Sequence, residues 1–187
     1  MRRPAPLERQ ALVLRRPLED REPFAAINAD PAVMEYFPST LTRGQSDGLA
    51  ERIDGELRRE GYGLWALEIP TEAPFIGFVG LQATNAEMPF TRTTEIGWRL
   101  ARSYWGRGLA TEAARAALAF GFDELALSEI VAFTATGNLR SRRVMERLGM
   151  RHEPAADFVH PKLVAGHPLA LHVLYRLEAH EAHAPRP

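Results

Sequence analysis

Residues 93–117, TTEIGWRLARSYWGRGLATEAARAA, place the tightest constraint on what this chain can fold into. Apolar Ile96, Trp98 and Leu100 alternate as in a strand, Gly106 and Gly108 mark a tight turn, and an Ala-rich segment free of Gly and Pro begins at once. Strand, glycine turn and helix in that order make an anion cradle. The first backbone N–H groups of a helix have no intrahelical partner and sit at the positive end of its dipole, so phosphate oxygens settle there. Glycine has no Cβ to keep the backbone at a distance. The same letters also serve a plain strand-to-helix connection. A P-loop is excluded, because no Gly-Lys-Ser/Thr ends the turn, and Thr111 stands where a dinucleotide fingerprint would need its third glycine.

With 187 residues the chain suits one domain, and a chain of that size buries about 70% of its unfolded surface. It has no cysteine, which removes disulfides, thiolate metal sites and a cysteine nucleophile together. A formal charge of −1 leaves no global field for nucleic acid or an anionic membrane. Residues 1–17 hold five arginines but no apolar stretch like that of a signal peptide. No segment approaches the ~20 apolar residues of a membrane span. The expected location is cytoplasmic. The tail, residues 179–187, is polar and Pro-ended, and its His180 and His183 read as part of a frayed terminus.

Residues 9–16 alternate as a first strand, and residues 18–29 read as a short helix with Pro23 in its first turn. Residues 30–38 pack large apolar side chains between two prolines, as a helical turn plugged into the core would. Leu49, Ile53 and Leu57 space an amphipathic helix over residues 42–60. Residues 62–69 and 75–83 are apolar runs separated by a Pro-containing link, a hairpin of buried strands. Residues 121–125 end the long helix, and residues 130–136 form an apolar strand that runs directly into Asn138. Asn138 then caps a helix over residues 139–148, with Val144, Met145 and Leu148 inward and Gly149 as its stop. Residues 151–168 show no clean period and read as a long loop, followed by a final strand over residues 169–177. The spacing of His152, His160 and His167 matches no familiar zinc ligand set, so no metal is expected.

The run Trp105-Gly106-Arg107-Gly108-Leu109-Ala110, followed by Thr111-Glu112-Ala113, resembles the acyl-CoA-binding motif of the GNAT superfamily of N-acetyltransferases, with Trp105 in place of the usual polar first residue. With Asn138-Leu139-Arg140-Ser141 and Leu148-Gly149-Met150 it resembles the RimJ/RimL branch, and the landmarks keep their order over residues 9–178. The resemblance implies one α/β domain of GNAT type, residues 1–187 with a core over 9–178. Its sheet would be mixed but mostly antiparallel, of about seven strands, with helices on both faces and a splayed central strand pair. It implies acetyl transfer from acetyl-CoA to a primary amine by direct attack, without metal or covalent enzyme intermediate. The amine would be a protein N-terminus or a small molecule. Another acyl-CoA, such as succinyl-CoA, and a non-catalytic acyl-CoA sensor are the alternatives. Homodimers are common in the branch, and residues 169–177 could pair or pack across an interface.

The same resemblance assigns roles. The amides of Gly106, Arg107, Gly108, Leu109, Ala110 and Thr111 would hold the CoA pyrophosphate. Backbone groups of Ile96, Gly97, Trp98, Arg99 and Leu100, freed by the splay, would pair with the pantetheine arm, beside Asn138 and Ser141. Residues 30–38 would flank the acceptor. Family members often carry a proton-donating Tyr four residues after the position of Ser141; Met145 stands there and cannot donate, and the resemblance to RimL-like proteins makes Ser141 the replacement candidate, although a thiol pKa of about 8.5 means that a strong acid is not obligatory. Tyr175 is a weaker alternative and Glu112 is read as structural. For the base the candidate is Glu95, a carboxylate whose pKa could be raised by desolvation beside Trp98 and Phe90.

Overall fold

The computed structural model describes residues 7–9, 12–15, 20–70, 72–84, 87–90, 93–164 and 166–182. In chain order its elements are β1 (Leu7–Arg9), β2 (Leu12–Arg15), α1 (Arg21–Ala29), α2 (Arg43–Glu60), β3 (Leu64–Ile69), β4 (Ala73–Ala83) and β5 (Thr94–Leu100). They continue with α3 (Leu109–Ala119), β6 (Glu129–Ala135), α4 (Leu139–Leu148), β7 (Arg151–His152), β8 (Phe158–Val159), β9 (Leu171–Glu178) and α5 (Ala179–Ala182). Among the described residues, seven strands of three residues or more and two of two residues make one sheet, ordered β1-β2-β3-β4-β5-β6-β9-β7, with β8 also on β9. Every pairing is antiparallel except β5 with β6.

That exception shapes the molecule. β4 and β5 pair along their length from Gly77↔Leu100 to Ala83↔Thr94, and β6 pairs with β9 from Glu129↔Glu178 to Ala135↔His172. Between β5 and β6 the register holds only at Glu95↔Val131. Beyond that point the two strands diverge, so Ile96 to Leu100 have no ladder partner on the β6 side. An open wedge splits the middle of the sheet.

Helices cover both faces. Strand alternation puts Phe78 and Leu81 on opposite sides of β4. Phe78 packs against Phe24 of α1, with ring centroids 5.5 Å apart. On the Leu81 side, a Cβ placed on Gly121, at the end of the α3 rod, would stand 2.9 Å from the Leu81 side chain. α2 packs on α1, burying Ile53 and Leu57 as their spacing requires. Thr42 starts α2 with a reciprocal capping box: Gln45 N donates to Thr42 Oγ1 and Thr42 N donates to Gln45 Oε1.

Three expectations change. The single strand over residues 9–16 is instead the hairpin β1–β2, with residues 10, 11 and 16 outside the described residues; each half takes its ladder bonds from the other, which alternation alone does not reveal. The long helix does end within residues 121–125, the rod of α3 passing at Ala119 into a π-helical turn, Phe120–Glu124, with Phe122 buried. The loop over residues 151–168 contributes β7 and β8, both paired to β9. Those pairings cover the edge of β9 that faces away from β6, so β9 offers no continuous open edge for pairing across an interface. Finally, the first part of the tail is α5, tied down where Arg151 Nε donates to Glu181 at 2.6 Å; His180 sits on it, and His183 lies outside the described residues.

Candidate active site

The wedge opens into a cavity of about 1060 Å³. Of the expected site residues, Glu95, Ile96, Gly97, Trp98, Arg99, Leu100, Gly106, Gly108, Leu109, Ala110, Thr111, Asn138 and Ser141 all line it. Arg107 does not. Its guanidinium turns outward and makes a two-pronged pair with Glu72, at 2.6 and 2.9 Å, which leaves only its amide for the cradle.

At the mouth, Gly106 and Gly108 have φ of 76° and 81°, the left-handed region that favours glycine. A Cβ on either would meet nothing within 4 Å, so the space above the turn is open. The first helical bond of the next segment runs from Glu112 N to Gly108 O, at 3.1 Å, leaving the preceding amides free to converge on an anion. Trp105 explains its own presence: its indole Nε1 donates to Leu100 O at 2.9 Å and ties the turn to the end of β5. The six lining cations Arg52, Arg99, Arg140, Arg143, Arg147 and Lys162 against one lining carboxylate, Glu95, suit a polyanionic ligand. These features fit the phosphates and arm of an acyl-CoA.

At the apex, Glu95 is partly buried. Burial pushes its carboxyl up to about 7, against a smaller downward pull from Gln82, whose Nε2 donates to Glu95 Oε2 at 3.2 Å. A group poised there exchanges a proton readily near neutral pH. The desolvating neighbours are not all those expected. Trp98 lies on the opposite face of β5 by alternation, whereas Phe90 does belong nearby, in a cluster with Phe133, Phe158 and Val131, the residue opposite Glu95.

Across the wedge, Asn138 caps α4 by accepting from Ser141 N at 3.2 Å, and its Nδ2 donates to Thr134 Oγ1 and Ser141 Oγ, at 2.9 and 3.1 Å. Because the Ser141 oxygen accepts that bond, its own hydrogen is free to be donated into the cavity. Met145 is buried beneath it. Tyr175 stands apart: its hydroxyl donates to Glu146 at 3.1 Å, accepts from Arg142 and lies outside the cavity lining, which fits its core reading. The loop histidines go separate ways. His152 pairs with Asp157 at 2.8 Å, His160 stacks toward His172 at 4.9 Å, and His167 accepts from Leu169 N. Among the described residues no group of three His, Cys, Asp or Glu is arranged to hold a metal.

Over residues 30–38, Met34 is buried and lines the cavity together with Tyr36 and Phe37, so core packing and cavity lining coexist there. Arg140 of α4 clasps this segment, pairing with Glu35 at 2.5 Å and stacking on Trp105 at 4.5 Å. Sequence reasoning missed this clasp, the Gln82 partner and the buried His172. They join residues far apart in the chain, and no local pattern marks them. Arg99 did carry a signal, a cation inside an otherwise apolar strand.

A mixed sheet parted by a single-pair parallel junction, with a helix start beside the gap, defines an open α/β fold whose cleft lies at the split. Residues 11–151 match the family described as Acetyltransferase (GNAT) domain. The protein YkkB of Bacillus subtilis is 36% identical over 141 residues, covering 72% of this chain and 79% of its own length. The N-acetyltransferase YnaD of the same organism is 46% identical over 126 residues, covering 67% of this chain and 69% of itself. FsC-acetyl coenzyme A-N(2)-transacetylase of Aspergillus fumigatus is 35% identical over 143 residues, which cover 72% of this chain and 59% of that protein. The crystal structure of a GNAT-family acetyltransferase from Bacillus anthracis superposes with a TM-score of 0.76 at 26% identity, covering 93% of this chain and 98% of its own. The chain belongs to the GNAT acetyltransferase family and is an N-acetyltransferase.

Proposed function

We propose that the enzyme moves an acetyl group from acetyl-CoA to a primary amine by direct attack. The observation that carries this reading is the convergence of the free α3 amides, the unpaired edge of β5 and a carboxyl poised near pH 7 on one cavity. The name of the Aspergillus fumigatus relative, an acetyl coenzyme A transacetylase acting on nitrogen, supports the donor and the kind of acceptor.

The amides of residues 106–111 fix the pyrophosphate, and backbone groups of residues 96–100 pair with the arm, with one amide there available to the thioester oxygen. The amine nitrogen attacks the thioester carbon. Glu95 takes the ammonium proton, directly or through water, before or during attack. The C–S bond then breaks, the nitrogen gives up its second proton to water, and the thiolate takes a proton from Ser141, which recovers it from solvent. A thiol pKa of about 8.5 makes the thiolate a tolerable leaving group near neutral pH, so a strong acid is not required.

The chain acts as one acyltransferase domain of RimJ/RimL type in the cytoplasm. Among the described residues no helix is long and apolar enough to cross a membrane. A homodimer would use a packed face, for which exposed Val159 and Leu171, opposite each other on β8 and β9, are suited. The test is release of free thiol from acetyl-CoA over a panel of amines and N-terminal peptides, beside calorimetric CoA binding. Release that depends on one amine class supports the reading; CoA binding with no release from any amine overturns it.

A further inference from the structure

Arg99 stands apart from the other cations of the cavity. Arg52, Arg140, Arg143, Arg147 and Lys162 are exposed, but the guanidinium of Arg99 is sandwiched 4.2 Å from the Phe37 ring centroid and 5.2 Å from that of Phe78. Its Nη1 donates to Asn28 Oδ1 at 2.5 Å, while its Nε is buried with no hydrogen-bond partner. Among the described residues no carboxylate forms a salt bridge with it, whereas Arg107, Arg140 and Arg176 all have one. Asn28 is itself fixed, donating to Ser46 at 2.9 Å, so α1 and α2 hold the guanidinium in place. Burial lowers its pKa to about 10, a measure of how far this cation is withdrawn from water without an anion to compensate. Arg99 lines the cavity, and a flat fork of donors stacked between rings and steadied by the Asn28 amide is shaped for a carboxylate.

Its position says whose carboxylate. Glu95, Gly97 and Arg99 share one face of β5 by alternation, and a Cβ on Gly97 would meet nothing within 4 Å. Base and guanidinium therefore flank a floor with no side chain, their α-carbons about 13 Å apart along the strand and the two side chains narrowing that gap. This is the α1 face, roofed by Phe37, whereas Ile96 and Leu81 face the α3 side from which the phosphate cradle rises. We propose that Arg99 binds the carboxylate of the acceptor, so that the substrates are small amines carrying a carboxylate, such as amino acids. This rests on the N-acetyl transfer reading above and names its substrate class. An acyl group bearing a carboxylate is the other source of the same chemistry.

The test uses the full chain and amine pairs that differ only by a carboxylate: γ-aminobutyrate and propylamine, lysine and cadaverine, phenylalanine and phenethylamine. Thiol release gives the ratio of kcat/KM within each pair, with acetyl-CoA and separately with succinyl-CoA. Calorimetry with saturating CoA reads binding of each amine without turnover. The wild type should favour the carboxylated member of at least one pair, with the difference in KM. Arg99→Met should lower that ratio about 10- to 100-fold, the value of a charge-assisted hydrogen-bonded pair, and Arg99→Lys should fall between. A merely structural arginine would slow both members equally and leave the ratio unchanged, which overturns the proposal. So does a wild type indifferent to the carboxylate in all three pairs, or an Arg99→Met loss confined to succinyl-CoA. If Arg99→Met does not fold, Arg99→Lys and the wild-type binding ratios decide. Carboxylate-dependent binding without thiol release would sustain the anchor and sink acetyl transfer; transfer without carboxylate preference would do the reverse.

Discussion

Replacing Glu95 with Gln removes one ionisation while keeping shape and an acceptor for the Gln82 amide. A carboxyl held at about 7 rather than 4.5 binds its proton more tightly in the folded protein by about 3 kcal/mol. Between pH 4.5 and 7 the folded state therefore carries more protons than the unfolded state, and wild-type stability falls as pH rises through that window. Below it both states are protonated and the cost is absent; above it both are ionised and the full cost is present. The Glu95→Gln variant has no such slope from this position. Urea unfolding of wild type and Glu95→Gln at pH 4.5 and pH 8 should show the variant gaining on the wild type by about 3 kcal/mol between the two pH values, other ionisations cancelling in the comparison. The same group sets the rate. If Glu95 takes the amine proton, turnover rises with pH through a midpoint near 7 to a plateau above about pH 8, and about one tenth of the enzyme is competent at pH 6. Glu95→Gln should lose that acid limb and about 100-fold or more in kcat, with CoA binding by calorimetry intact. A stability difference that does not vary with pH refutes the burial argument, and normal turnover with the acid limb retained refutes Glu95 as base.

Gly108→Trp forces a side chain onto a φ of 81° at the cradle, and calorimetry should show CoA binding lost; unchanged affinity would remove the turn from the donor site. Ser141→Ala deletes the only hydroxyl proposed for the thiolate and should lower kcat about tenfold with KM for acetyl-CoA little changed, whereas an unaffected kcat would mean the thiolate leaves unassisted. Trp105→Phe keeps the ring but deletes the bond to Leu100 O; denaturant titration should show a loss of about 1 kcal/mol, with a raised KM for acetyl-CoA as the turn loosens.

The turn at Gly106 and Gly108, the cap at Asn138 and the stop at Gly149 were legible in the sequence because each is decided by a few neighbouring residues. Helix ends need a donor, an acceptor or a left-handed φ within a turn of chain, and those residue types are few. The cradle half of the candidate site was therefore readable from residues 105–111. The hairpin β1–β2 and the small strands β7 and β8 were not, since a two- or three-residue strand carries too little alternation to stand out. Their existence depends on a partner edge supplied from elsewhere in the chain.

The sequence by itself determined that a helix begins at a glycine turn after a strand, that no thiol chemistry is available from a cysteine, and that residue 145 is a methionine with no proton to donate. Tertiary structure decided the rest. That β5 and β6 meet at one residue pair and then part, that burial, partly offset by Gln82, holds Glu95 near neutrality, and that Asn28, Phe37 and Phe78 surround the Arg99 guanidinium are facts about residues distant along the chain. Burial and charge pairing are properties of the space around a side chain, and that space exists only once the sheet and helices have assembled.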